Sequence, residues 1–375
     1  MNFDLSEDDA ALQDSVARWV QQRYPFDARR KLAAASPGFS PAHWREMAQL
    51  GWLALPFDEA LGGLGGGPLA SALMMEQLGK GLVLEPWLPN LLLFGALLQR
   101  SAVHCEAWVP KLIDGSLQGA LAWQERHGRH ELADVQTTLR PAGEGFVLDG
   151  EKVLVFNGAA AGQLVVSARS AGGRFDQAGL SLVRIDVTAP GVERTPLQLM
   201  DGQWVAHFRF SRVQVSAGQL LFAPGEAFAP LQQTVNTAML ALCAEALGVM
   251  QLLQATTLDY VKTRKQFGVT IGSFQALQHR LVDMYTALEQ TRALLVRAVC
   301  SAEEGSTDAQ RDLLALKVMV GKAGRLIGGE AVQMHGGMGM TDELVVGHGM
   351  KRLMVIDTSF GNADVQRARF AALAA

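Results

Sequence analysis

The chain has 375 residues, long enough to bury a large core, with 49% apolar and 19% charged residues and a formal net charge of -4. Lysines and arginines are scattered rather than blocked together, which excludes the basic footprint of a nucleic-acid binder. Residues 1–9 are acidic, without the basic-then-apolar order of a secretion signal, and the longest apolar stretch, 88–98, is broken by Pro89, Asn90 and Gly95 and falls short of the roughly 20 residues of a membrane helix. These features predict a cytoplasmic protein with no membrane partner.

In chain order, the first third reads as helices. Ser6 and Asp9 form a capping box ahead of Leu12, Val16, Trp19 and Val20 at helical spacing. Ser40, Pro41 and Gly51 frame a second helix carrying Trp44, Met47 and Leu50. The glycine run 62–67 reads as a flexible loop and a plain turn, because no strand precedes it as a dinucleotide fingerprint requires. From about Gly119 to Val215 the period changes to two, with strands over 146–155, 164–168, 180–185 and 205–215. In the last of these, Ala206, Phe208 and Phe210 share one face, with His207, Arg209 and Ser211 on the other, as in a half-buried antiparallel strand. After Pro230, periodic stretches at 232–263, 275–303 and 309–335 and a shorter one near the C-terminus predict a packed helix bundle. Glycine- and proline-rich junctions near 115–119 and 224–230 divide the chain into 1–117, 118–228 and 229–375. Cys105, Cys243 and Cys300 lie far apart with no C-x-x-C pair, which argues against disulfides or zinc and casts each as a small core residue.

Residues 260–284 read YVKTRKQFGVTIGSFQALQHRLVDM, and 333–339 read QMHGGMG. Here the chain resembles the acyl-CoA dehydrogenase family, and within it the small subunits of pimeloyl-CoA dehydrogenase-like two-component enzymes. The resemblance implies the acyl-CoA dehydrogenase fold: an N-terminal all-α domain, a central antiparallel β-domain and a C-terminal four-helix bundle, assembled into oligomers. It also implies FAD bound between subunits, an acyl-CoA substrate in fatty acid metabolism, and an electron-transfer flavoprotein or similar acceptor. By this resemblance Arg264 holds the pyrophosphate, Phe267 packs near the adenosine, and Gln275, Gln333, Gly336 and Gly337 meet the far half of the cofactor. A guanidinium fork suits phosphate oxygens, and paired glycines admit close backbone approach. Read alone, Arg264 beside Lys262 and Lys265 is equally a solvated helix end, and Gly336–Gly337 a helix stop.

Desaturation of a thioester needs a carboxylate to remove the α-proton and a flavin to accept hydride. Where the family carries aromatic-Glu-Gly-Thr, this chain has Ser359-Phe360-Gly361-Asn362, and the alternative base position of some relatives falls on Ala238. Asp357 and Glu245 are weak substitutes, with Asp364 also near Phe360. In the loop that the family places over flavin and CoA, residues 124–131 read QERHGRHE, retaining only Glu125 and an acidic Glu131. His127 and His130 there meet a CoA phosphate, act as acid–base groups or are solvated loop residues. Leu154 and Phe156, following Lys152, replace the aromatic-x-Thr beside the flavin, and Met239 replaces an arginine. The missing groups belong to the half-site a subunit offers its own flavin, and the retained ones to the half it offers a neighbour. The expectation is a base-lacking subunit completed by a same-fold partner. A self-sufficient homo-oligomer with a displaced base and a flavin-free scaffold subunit are the alternatives.

Overall fold

The structure is a computed structural model describing residues 5–128 and 130–373. Helices α1 (Glu7–Arg23), α2 (Phe26–Ala33), α3 (Pro41–Gln49) and α4 (Pro68–Lys80) are followed by a wide π-type helix over Leu88–Gly95, then α5 (Ala96–Gln99) and α6 (Cys105–Ile113). Strands β1 (Gly119–Ala122), β2 (Thr138–Ala142), β3 (Gly145–Phe156), β4 (Gln163–Arg169), β5 (Leu180–Asp186), β6 (Val192–Gln198) and β7 (Trp204–Ser216) come next. Helix α7 (Phe228–Thr263), a short hairpin of β8 (Lys265–Gln266) and β9 (Val269–Thr270), and helices α8 (Gln275–Glu303), α9 (Ala309–His335), α10 (Val345–Thr358) and α11 (Ala363–Ala372) complete the chain. The apolar helix α7 is long enough to cross a membrane, but its most apolar window is 78% buried, as in a core helix.

The chain forms two compact units. One comprises Lys31–Gly66 and Leu84–Ala238. Its sheet runs β1-β4-β2-β3-β7-β6, with β5 on β4. Pairing is antiparallel except where β4 meets β1 and β2 in parallel, so the antiparallel expectation holds for the long strands and fails at one edge. Leu148, Leu164, Val166, Ile185, Phe208, Phe210 and Val213 build its core, each large side chain contributing about 1.5–3 kcal/mol on burial. Phe208 stacks on Phe210 at 6.3 Å, as the alternation in β7 predicts. The buried Asn90 side chain accepts from Gly119 N at 2.7 Å and donates to the Leu117 carbonyl at 3.2 Å, fixing the start of β1. The glycine run is pinned, not flexible: Gly65 N and Gly66 N donate to the carbonyls of Phe57 and Leu55. A Cβ on Gly63 would stand 1.9 Å from the Phe57 oxygen.

The other unit comprises Met1–Arg30, Gly67–Val83 and Met239–Ala375. Ser6 caps α1 by accepting from Asp9 N, and α1 buries Val16, Trp19 and Val20. Helices α4 and α7 cross at bare backbone: a Cβ on Gly79 would lie 2.2 Å from the Glu245 carbonyl oxygen, and one on Gly248 1.9 Å from that of Glu76. Around them pack α8, α9, α10 and α11. Cys243 is buried here, its thiol pushed up to about 12 by burial, whereas Cys105 and Cys300 are partly exposed, so only one of the three is a core residue.

Candidate functional site

The arginine turn begins where α7 ends. Arg264 N donates to the Tyr260 carbonyl at 2.8 Å and its own carbonyl accepts from Ile271 N at 2.9 Å, which clasps both ends of the β8–β9 hairpin. Gln266 pairs with Val269, leaving Phe267-Gly268 as a two-residue loop with φ of 52° and 83°. That is the geometry of a type I′ turn, which favours Asn-Gly. Glycine fits it; phenylalanine does not. The Phe267 ring is nonetheless 92% exposed, meeting Phe274 edge-on at 6.3 Å. The Arg264 side chain is exposed and makes no ion pair among the described residues. Gln275, also exposed, opens α8, whose first turn has no side-chain cap.

The glycine turn lies at the end of α9. Gly336 has φ +61°, a left-handed position that calls for glycine. Gly337 has no such demand, and a Cβ on it would meet nothing within 4 Å. Nothing among the described residues requires glycine at 337. Gln333, Gly336 and Gly337 are all exposed. Tyr260 stacks on His335 at 4.2 Å, tying the end of α7 to the end of α9, and Arg280 pairs with Glu330 to tie α8 to α9. The six residues Arg264, Phe267, Gln275, Gln333, Gly336 and Gly337 are thereby gathered at connected ends of three helices. A free guanidinium, uncapped helical N–H groups and unobstructed glycine backbone form a donor set suited to a phosphate-bearing group.

The two positions where the resemblance expects a base are apolar and sealed. Phe360 is 3% exposed and Ala238 fully buried. Phe360 takes φ +59° and Gly361 +103° in the turn between α10 and α11. Gln366 Nε2 donates to the Phe360 carbonyl at 2.7 Å and to that of Gly361 at 3.2 Å. The buried Lys317 ammonium donates to the carbonyls of Ile356 and Asp357 at 2.8 and 2.9 Å, closing the end of α10. Asp357 accepts from Ala363 N at 3.2 Å and faces Arg325 at 3.5 Å, so its carboxylate caps α11. Asp364 is a surface partner of Arg367. Glu245 accepts from Arg352 through both oxygens, at 2.6 and 2.7 Å, with both residues buried. Each candidate carboxylate is committed to a structural partner.

In the sheet unit, Lys152 is fully buried and donates to Glu125 Oε1 at 2.8 Å, Ser167 Oγ at 3.0 Å and the Trp123 carbonyl at 3.3 Å. Glu125 also accepts from Gln136 N and Thr137 N at 2.8 and 2.9 Å. Burial pushes its carboxyl up, but Lys152 and the Thr137 donors outweigh burial and hold it below the usual range. The surviving Glu125 therefore pins the loop to β3 and to the residues leading into β2. His127 is exposed on the wall of a cavity of about 560 Å³ shared with Arg126, Asp149, Glu151 and Arg209. His130 sits half-buried at φ +70°, and Glu131 is exposed, its N–H donating to the Gly128 carbonyl. Leu154 takes φ +51° at a bulge in β3 and its N–H donates to His207 Nδ1 at 3.0 Å; Phe156 is half-buried. In the helical unit, Met239 is buried. The Glu245–Arg352 pair and Lys317 escaped sequence reasoning, because partners 107 and about 40 residues apart leave no local pattern.

Three family models match along the chain: acyl-CoA dehydrogenase N-terminal domain over residues 6–116, middle domain over 120–213 and C-terminal domain over 228–374. The probable acyl-CoA dehydrogenase YngJ of Bacillus subtilis (strain 168) is 25% identical over 379 residues, covering 98% of each chain. Among solved structures, an FAD complex of PigA is 26% identical with a TM-score of 0.91, covering 99% of this chain and 98% of PigA. A Tcur3481-Tcur3483 steroid ACAD variant is 27% identical with a TM-score of 0.87, covering 98% and 97%. With all three domains matched in order on the helix–sheet–helix architecture, the chain belongs to the acyl-CoA dehydrogenase family.

Proposed function

We propose that this chain is the base-lacking subunit of a heteromeric, FAD-dependent acyl-CoA dehydrogenase, akin to the small subunits of two-component enzymes. The observation that carries the proposal is Phe360: a phenyl ring, 3% exposed, fills the turn where the resemblance expects the base, while the candidate carboxylates Glu245 and Asp357 are engaged by Arg352 and by Ala363 N. The flavin, when bound, supplies hydride acceptance. The chain's own contribution is positional. Arg264 would neutralise the pyrophosphate, Phe267 would cover the adenosine, and Gln275, Gln333 and the backbone at Gly336 and Gly337 would hold the far half, all on behalf of a neighbouring subunit.

Several observations support this division of labour. Phe267 is both bare and in a backbone conformation unfavourable to phenylalanine, which an isolated chain would have no reason to retain. The similar Tcur3481-Tcur3483 steroid ACAD carries two protein designations, as a two-component enzyme would. The partner subunit would supply the carboxylate, the flavin-ring pocket and the acyl-CoA contacts, in the cytoplasm, with an electron-transfer flavoprotein or similar acceptor reoxidising the cofactor.

The test is turnover of acyl-CoA thioesters by the isolated chain with a dye acceptor. The expected rate is background. Dye reduction that falls about 100-fold or more in Asp357→Asn or Glu245→Gln, the loss expected for a general base, would overturn the proposal in favour of a displaced base.

A further inference from the structure

Behind the glycine turn, one histidine joins three elements. Arg29 on α2 is 1% exposed; its Nε donates to the Leu82 carbonyl at 2.8 Å, and its Nη1 lies 3.2 Å from His348 Nδ1 on α10. A guanidinium has only N–H donors, so His348 Nδ1 must present its lone pair and the ring proton must sit on Nε2. Nε2 faces Asp342, 3.1 Å from its carbonyl oxygen and 3.0 Å from Oδ1. His348 is therefore a neutral bridge between α2 and the segment 336–344, with Phe26 edge-on at 4.9 Å.

The charges around it are unequal. Among the described residues, Arg29 faces it from α2, while Arg30 lies 3.5 Å from Asp342 and 3.8 Å from Asp27, and Lys351 on its own helix lies 4.0 Å from Asp342. Asp342 is the one anion that touches the ring among the described residues. A proton on Nδ1 would set N–H against N–H and cation against cation at the Arg29 contact. Burial first, then Arg29, hold the imidazole below its ordinary 6.5 against the pull of Asp342. A histidine depressed in this way stabilises the fold above 6.5, and that contribution is lost as pH falls.

The segment it holds is the one carrying Gly336 and Gly337. The first turn of α10 rests directly on it, since a Cβ on Gly347 would lie 3.2 Å from the Gly339 oxygen and 3.8 Å from that of Thr341. The remaining ties of Asp342, to Arg30 and Lys351, are solvent-exposed ion pairs of little worth. We propose that His348 is a pH-sensitive latch that fixes residues 336–344 against α2 at neutral pH and releases them in mild acid. Its consequence for FAD rests on the reading of the glycine turn given above.

Hydrogen exchange of the full chain, corrected for the intrinsic pH dependence of exchange, tests the latch. Protection of 336–344 should fall about fivefold or more between about pH 7.5 and about pH 5 in the wild type, and stay level in His348→Gln, which can accept from Arg29 and donate to Asp342 without titrating. Equal pH profiles in both proteins would overturn it. Should His348→Gln fail to fold, nitrogen-15 NMR of labelled histidines decides: an Nε2–H tautomer titrating below 6.5 supports the latch, and an Nδ1–H tautomer or a midpoint at or above 6.5 overturns it. If protection switches with pH while FAD affinity does not, the latch stands and the cofactor role of the glycine turn fails.

Discussion

Glu245 and Arg352 are joined through both carboxylate oxygens and are each less than a tenth exposed. Removing one member of such a pair strands a charge in a medium that solvates it poorly, whereas removing both need cost little. Arg352→Met should therefore destabilise the chain by about 3–5 kcal/mol, and the double change with Glu245→Leu should recover most of it, read by urea unfolding in a double-mutant cycle. Recovery of nothing would mean that the two side chains contribute separately. The buried Lys152–Glu125 pair makes a prediction with a pH sign. Glu125 is held below its ordinary 4.5, so its stabilisation is present above that value and lost as pH falls through the lowered range. In Lys152→Met the carboxylate loses its cation and prefers a proton, so the stability gap between variant and wild type should narrow from pH 7 towards about pH 4. A gap independent of pH would deny the pair its electrostatic role.

The hairpin at 265–270 and the long helices show what a sequence reveals about elements. Helices α7, α8 and α9 were legible because 27–36 residues of unbroken period leave little alternative. Strand β1 was not, since Gly119–Ala122 is four buried residues with no polar alternation, and β6 hides behind Pro196 and an exposed face. Helix α2, only eight residues, carries too short a period to register. The arginine and glycine turns were visible as motifs, but what joins them, Tyr260 on His335, is a contact across 75 positions that no periodicity encodes. Phe267 gives the element-scale prediction. Phe267→Asn installs the Asn-Gly pair that a type I′ turn favours, so the isolated chain should gain up to about 1 kcal/mol, raising Tm by about 1–2 °C. The same change removes the exposed ring and should weaken FAD binding in the assembled enzyme. Opposite signs in the two measurements identify a residue kept for binding at the expense of folding; a loss in both would make the ring a structural part of the hairpin.

At the scale of the whole molecule, the exposed apolar groups of the bundle unit are telling. Phe267, Val269, Phe274, Met338 and Met340 are all more than a third exposed and lie on or beside the arginine and glycine turns, which is more apolar surface than scattered singletons would leave there. A homomer could cover it, but a homomer would also need each chain to provide a complete flavin-ring pocket and a base, and on the proposed reading Leu154, Phe156 and Phe360 stand where the groups for both are expected. The two arrangements differ in arithmetic. If every chain both holds and completes a flavin, purified protein carries about one FAD per chain; if this chain only completes its partner's site, the heteromer carries about one FAD per two chains and the isolated chain next to none. Arg264→Ala separates the cases further. In the heteromer it should strip FAD from the complex while leaving the partner's substrate contacts intact, so that acyl-CoA still binds, measured by calorimetry, although the flavin absorbance is lost. Full FAD retention in that variant would remove the guanidinium from the cofactor site, and with it the reason for assigning this chain the outer half of a shared flavin.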